Sequence, residues 1–336
     1  MSDAALTFVI IFIKLSLILG ATLTLAAYMV LAERKLLARM QNRYGPNRVG
    51  PFGLLQPLAD LIKMITKEDI IPDEADRVIF LIAPGIVAGT VLMTFAVVPF
   101  GGPLTFMGRT ILMPVIDMNV GVLYFLALSS LGVYGVALAG WSSGSKYSLL
   151  GGIRGSAQMV SYELSMGLAL VPVVMLAGSF SLGDIVAAQS RVPFIVYSPV
   201  GFIVFLISVA AESKRVPFDL PEAENELVAG YHTEYSGMRF GLFFVGEYIN
   251  IIVLSAMATT FFLGGWHGPG PVWLSSFWFF LKSAFIAFFF VWMRATLPRL
   301  RYDQLMHFGW KYLVPLSLVN IILTGALALT YGWGGR

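Results

Sequence analysis

Eight apolar stretches, each long enough or nearly long enough to cross a bilayer as a helix, decide what this chain can fold into. They fall near Leu6–Leu31, Val78–Pro99, Met118–Gly140, Ala157–Gly178, Val196–Ala211, Phe240–Leu263, Val272–Met293 and Tyr312–Trp333. A spanning helix needs about 20 apolar residues. Backbone amides in lipid must bond within their own segment. The expected fold class is therefore an all-α integral membrane protein with eight transmembrane helices. The fifth run is short and is expected to continue into Glu212 and beyond. Hydrophobic residues make up 57% of the chain and charged residues 12%, against about a quarter charged in soluble domains.

Basic residues orient the bundle. Connections 32–77, 141–156, 212–239 and 294–311 hold seventeen of the 22 Lys and Arg, whereas the alternate connections and the C-terminus hold only Arg109, Arg191 and Arg336. By the positive-inside rule the first set faces the cytoplasm and both termini face outward. The N-terminus lacks a basic leader and a small-residue cleavage site, so the first span is not expected to be removed. There is no cysteine, and His232, His267 and His307 are scattered through loops, so this chain cannot build an Fe–S cluster, a thiolate metal site or a bis-His haem pair. It carries no phosphate-binding glycine loop. Any redox or nucleotide centre must come from a partner. The net charge of +3 follows from membrane topology, not from nucleic-acid binding.

One polytopic membrane domain over 1–336 is expected, with two notable cytoplasmic connections. Between 51 and 67, Leu54, Leu55, Leu58, Leu61, Ile62 and Ile65 fall on one helical face. Gln56, Asp60, Lys63 and Lys67 fall on another. This is an interfacial amphipathic helix lying in the membrane plane, kinked or started by Pro57. It either stiffens the loop as a lid or frames an opening through which a lipid-soluble molecule enters.

The second connection, 212–238, carries Glu212, Asp219, Glu222, Glu224, Glu226 and Glu234 against Lys214 and Arg215. Acids alone would make it a solvated loop. Two prolines and the interleaved Phe218, Leu220, Leu227, Val228 and Tyr231 argue that it folds and packs. It joins spans that themselves bear acids. Glu163 and Glu247 lie about seven residues into their apolar runs, about 10 Å below the cytoplasmic boundary at 1.5 Å per residue, and Glu212 closes a third run. A carboxylate at that depth costs several kcal/mol unless paired, hydrated or protonated. Three in one layer therefore read as groups that gain and lose protons. The competing reading is ion pairing; no base lies inside spans four to six, although a cytoplasmic Arg could reach in. Lys14 can snorkel outward. Lys282, nearer mid-membrane, is a candidate functional residue. Tyr28, Tyr124, Tyr134 and Tyr162 read as packing or interface anchors.

Four blocks, one per cytoplasmic connection, closely resemble a known family: ERKLLARMQNRYGPNRVGPFGLLQPLAD (33–60), GWSSGSKY (140–147), PFDLPEAENELVAGYHTEY (217–235) and PRLRYDQLMH (298–307). The family is that of the H subunits of the proton-translocating NADH-quinone oxidoreductase, respiratory complex I, equivalent to mitochondrial NADH dehydrogenase subunit 1. The resemblance covers essentially the whole chain. It implies a multi-pass subunit of the bacterial inner membrane, at the junction of the peripheral and membrane arms, forming most of a quinone-access chamber. NADH, FMN and the Fe–S clusters would sit on partner subunits. The substrate would be a quinone, with ubiquinone and menaquinone not distinguished. Partners would be peripheral-arm quinone-site and Fe–S subunits, antiporter-like membrane subunits and lipids.

By matching motif, Glu33, Arg34, Asp60 and Arg294 would line or guard the quinone channel, with Arg299 and Arg301 on the surface beside it. Glu163, Glu212, Glu247 and Tyr248, with Asp219, Glu222, Glu224, Glu226 and Glu234, would start a proton relay toward the antiporter-like subunits. The chain itself would perform no bond chemistry. One departure is Gly132: some family members carry a further carboxylate in span three, which here has no acid, so water or a neighbouring subunit must bridge that step. The alternatives weighed are a membrane anchor of an energy-converting NiFe hydrogenase and a stand-alone proton-coupled transporter. The intact GPNRVGP segment (45–51) and the long, packed cytoplasmic loops favour the quinone-linked subunit.

Overall fold

A computed structural model of the chain describes residues 3–106, 109–111 and 114–331. Its first helix, α1 (Asp3–Met40), continues past the apolar run, because Glu33 to Met40 are almost all strong helix formers. It stops where Asn42 turns left-handed at φ 53°. The interfacial helix is shorter than expected. Pro51–Gly53 form a separate 3-10 turn with Phe52 left-handed, and α2 proper is Gln56–Thr66 with Pro57 in its first turn, where the missing N–H costs nothing. Leu54, Leu58, Leu61, Ile62 and Ile65 are all exposed, an apolar stripe with no protein to cover it.

Helix α3 (Arg77–Phe95) starts at Asp76, whose carboxylate accepts from the N–H groups of Val78 and Ile79 at 3.1 and 3.3 Å. The connection that follows holds a small antiparallel pairing of β1 (Leu104–Phe106) with β2 (Arg109–Ile111) in a chain that is otherwise helical, as expected. Helices α4 (Gly121–Ser142) and α5 (Lys146–Ala177) come next. Two short helices, α6 (Leu182–Ala188) and α7 (Phe194–Tyr197), lead into α8 (Pro199–Glu212). The fifth apolar helix does not run beyond Glu212: Ser213 caps it by bonding back to Val209. One turn, α9 (Glu224–Leu227), interrupts the acidic loop before α10 (Gly237–Phe262). The chain closes with α11 (Ser275–Thr296), α12 (Tyr302–Phe308) and α13 (Val314–Tyr331), the last two joined by a π turn.

Seven of the described helices are long and apolar enough to cross a membrane; α8, with 14 residues, is a shorter apolar helix. Helix α5 is the hub, packed against α4, α8 and α13. It lies close to α4 because Gly140 and Gly152 face one another: a Cβ on Gly140 would fall 2.6 Å from the Ser148 carbonyl oxygen. Aromatic and branched residues of α4, α5, α8 and α10 fill the core. Helices α1 and α13 turn large apolar side chains such as Leu17 and Ile322 outward.

Candidate functional site

Arg215, three residues past the end of α8, carries the central contact. Its Nη1 donates to both carboxylate oxygens of Glu33 on α1 at 2.6 and 2.7 Å. Its Nε pairs with Glu247 on α10, and its guanidinium lies 4.4 Å from the ring centre of Tyr248. Arg294, in the last turn of α11, pairs with the same Glu33. Glu33 is only 2% exposed. Two acids and two bases thus balance in a site where an uncompensated charge would cost several kcal/mol. Glu33 and Arg294, expected in the channel, and Glu247 and Tyr248, expected in the relay, form one network. An Arg from the 212–238 connection does reach Glu247, so for that acid the competing reading, ion pairing, holds.

Glu163 and Glu212 have no basic partner within ion-pairing distance among the described residues. Instead they take consecutive serines of α4. Ser129 donates to Glu212 at 3.1 Å, and Ser130 donates to Glu163. Adjacent serines hold the two acids at one level, although α5 begins at Lys146, well before the apolar run. Beside them is a cavity of about 40 Å³, lined by Ser129, Gly132, Glu212, Lys214, Glu247 and Asn250 among others. One water needs about 10–15 Å³, so the space admits water. Glu212 Oε2 has no protein hydrogen-bond partner. Gly132, the departure noted above, borders this space.

The acidic loop is packed, not solvated. Phe218, Leu220, Leu227, Tyr231 and Tyr235 are buried, although Val228 is exposed. Gly230, left-handed at φ 60°, lies so close to Pro221 that a Cβ would meet its carbonyl oxygen at 1.7 Å; on α5, Gly151 leaves room for Gly230 itself. Gln158 of α5 donates to the carbonyls of Ala211 and Phe218 at 2.8 and 2.7 Å, tying both ends of the turn. Arg299 holds Asp219 at 2.6 Å, and Arg154 holds Glu226 at 2.7 Å. His232 lies 4.0 Å from Glu222. Glu234 is partly buried. The side chain of Glu224 lies outside the described residues.

Burial dominates the titration of this loop. It raises Asp219 to about 6, against the pull of Arg299. It raises Glu222 well above the usual range, helped by the nearby Glu247 and Asp219. It lowers His232 to about 4, with Lys214 adding to the effect. Lys214 is also lowered by burial, while Glu212, Glu247 and Glu222 pull it back up.

At the outer edge of the network, Arg34 pairs with Asp60 at 2.8 Å, and Gln56 donates to Asp60 at 2.9 Å. These residues brace α2 against α1. Arg301 is exposed and pairs with Asp303 at 3.3 Å. Below Glu33 an apolar cleft of about 390 Å³ opens between α1 and α11, bordered by Tyr28, Met29, Ala32, Phe279 and Ser283. Lys282 is not part of the site. It donates to the carbonyls of Leu263, Gly265 and His267 at 2.8, 3.1 and 2.6 Å, closing the outward turn after α10. Sequence reasoning did not single out Arg215, Lys214, Ser129 or Ser130 as site residues. The signal that could have found them was two bases directly following a membrane carboxylate and two adjacent hydroxyls in an otherwise apolar span.

A family model described as NADH dehydrogenase matches residues 13–325. The chain is 67% identical to the first NADH-quinone oxidoreductase H subunit of Geobacter metallireducens, over 97% of this chain and 98% of that protein. It is likewise 67% identical, over the same shares, to the second such H subunit of Geobacter sulfurreducens. To the NADH-quinone oxidoreductase H subunit of Syntrophotalea carbinolica it is 62% identical, over 99% of this chain and all of the relative.

Proposed function

The chain belongs to the NADH dehydrogenase family, that of the NADH-quinone oxidoreductase H subunits, and from that premise we propose that it forms the quinone-access chamber of the complex and couples quinone reduction to proton translocation. In this reading it is a single polytopic domain of the bacterial inner membrane. Eight helices, α8 included, cross the bilayer, both termini are outside, and α2 lies in the cytoplasmic interface. NADH, FMN and the Fe–S clusters belong to peripheral-arm partners, and antiporter-like subunits receive the relay.

The observation that carries the proposal is the Arg215 bridge. Quinone would enter from the bilayer beside α1 and α2, by way of the apolar cleft between α1 and α11, and pass Glu33, Arg34, Asp60 and Arg294, with Arg299 alongside. A quinone reduced at a partner's centre to its anionic form and lying near Glu33 would compete for Arg294 and Arg215. Any share of Arg215 drawn toward the channel is taken from Glu247. Glu247, with Tyr248, then exchanges protons through the water-sized cavity with Glu212 and Glu163. Asp219, Glu222, Glu224, Glu226 and Glu234 tie that exchange to the conformation of the loop. Bond chemistry on the quinone is left to the partners. That all three relatives are named as subunits of NADH-quinone oxidoreductase supports this reading over a hydrogenase anchor or a free-standing transporter.

The test is NADH-driven acidification of inside-out vesicles bearing Glu212→Gln or Glu247→Gln. Both variants should assemble, lose pumping and lose most quinone reductase activity. Normal pumping in both would overturn the relay.

A further inference from the structure

Lys214 is a buried base that neither the channel nor the relay described above uses. It adopts a left-handed backbone at φ 53°, uncommon for a residue with a side chain, and this conformation follows directly from the end of α8. The turn carries the ammonium inward, to 5.1 Å from the ring centre of Tyr231 and onto the wall of the cavity that Glu212 and Glu247 also line.

Every element packed around it presents either an acid or a neutral group. Helix α8 offers Glu212, α10 offers Glu247, and the loop offers Glu222, Tyr231 and His232. Helix α4 offers Ser129 and Gly132. Behind these, Glu163 acts on Glu212, and Asp219 and Arg215 act on Glu222. Arg215 is committed to Glu33 and Glu247 at contact distance. Among the described residues no carboxylate comes within 4.0 Å of the Lys214 ammonium, so its charge is shared among three acids.

We propose that Lys214 is a positioning residue of the relay, whose buried ammonium, on the cavity wall that Glu212 and Glu247 also line, sets the pH at which Glu222 takes up and releases protons. The inference rests on the relay reading above. A cation shared across a cluster favours the ionised form of every member. The acids also act on one another: a proton arriving on one lifts its repulsion of its neighbours and favours their ionised form.

The experiment is an infrared pH titration of the whole complex in membranes, following the protonated-carboxyl band that disappears in Glu222→Gln. Lys214→Asn removes the charge and tolerates the left-handed backbone; Lys214→Arg keeps the charge. In Lys214→Asn the midpoint should move to higher pH by on the order of one unit, and in Lys214→Arg it should return to within a few tenths of the unsubstituted value. An unmoved midpoint in Lys214→Asn, or an equal shift in Lys214→Arg, overturns the proposal. Should Lys214→Asn not assemble, Lys214→Gln is read by the same criterion. The Glu212→Gln vesicle assay separates the two layers. Normal pumping there removes the relay itself, whereas lost pumping with an unmoved Lys214→Asn midpoint removes only this inference.

Discussion

Replacing Arg215 by Met removes two acid partners at once, and the consequences can be worked from the contacts. Glu33 keeps Arg294. Glu247 keeps no cation within ion-pairing distance among the described residues, since Arg215 is the partner it has. Breaking a buried pair by deleting one member costs about 3–5 kcal/mol, because the surviving charge is left uncompensated. At about 2–4 °C per kcal/mol, the figure for domains of about 150–250 residues, the melting midpoint of the purified complex should fall on the order of 6–20 °C. Removing the stranded charge as well should recover much of that loss. Arg215→Met/Glu247→Gln is therefore expected to melt above Arg215→Met alone, by an interaction free energy of about 2 kcal/mol or more. Pumping should be absent in both, because the bridge between channel and relay is gone. Two results would refute the reasoning: additive destabilisation in the double variant, or an assembled Arg215→Met complex that acidifies vesicles normally.

Two further outcomes follow from the loop. Gly230→Ala should abolish its packing on α5, since a Cβ meets the Pro221 carbonyl oxygen at 1.7 Å in a left-handed turn; limited proteolysis within 213–236 should rise sharply, while Gly167→Ala, with nothing within 4 Å, should leave it unchanged. The pH response has two opposing parts. Asp219 is raised to about 6 from 3.8, so its contribution to stability is full below pH 4 and is lost as pH rises through 6. His232 is lowered to about 4 from 6.5, so its contribution is full above 6.5 and is lost as pH falls toward 4. Each amounts to about 3 kcal/mol at 1.36 kcal/mol per unit, and Glu222, also raised by burial, adds to the Asp219 side. His232→Gln removes one side, so hydrogen-exchange protection of the loop at pH 5 should exceed that at pH 7.5, after correction for intrinsic rates; equal protection would refute the assignment.

The sequence made the apolar helices legible because a bilayer demands long unbroken runs, and it placed α2 through its strict helical periodicity. It did not show that α5 starts at Lys146 or that α1 runs to Met40. Outside lipid a helix no longer needs an apolar composition, so the hydropathy signal ends before the helix does. The acids were legible from the cost of burying them, and the packing of their loop from the apolar residues between them. The partners were not. Arg215 and Glu33 are 182 residues apart in sequence, and no local pattern encodes a contact made by tertiary folding. Ser129 and Ser130 carry no sequence signal because a hydroxyl in a membrane helix usually bonds its own backbone; here Ser129 turns to a carboxylate, and Ser130 lies within reach of both the Leu126 carbonyl and the Glu163 carboxylate. The paired strands 104–106 and 109–111 are each too short for an alternating pattern to stand out.

Lys282 fastens the far end of α10 by gripping three carbonyls in the turn beyond it, while the acidic loop feeds into the same helix at Gly237. A rod clamped at one tip swings about that tip: shifts introduced at the Gly237 end are largest there and fade toward the end held by Lys282. A displacement of the acidic loop can therefore reshape one mouth of the bundle while the opposite turn keeps its form.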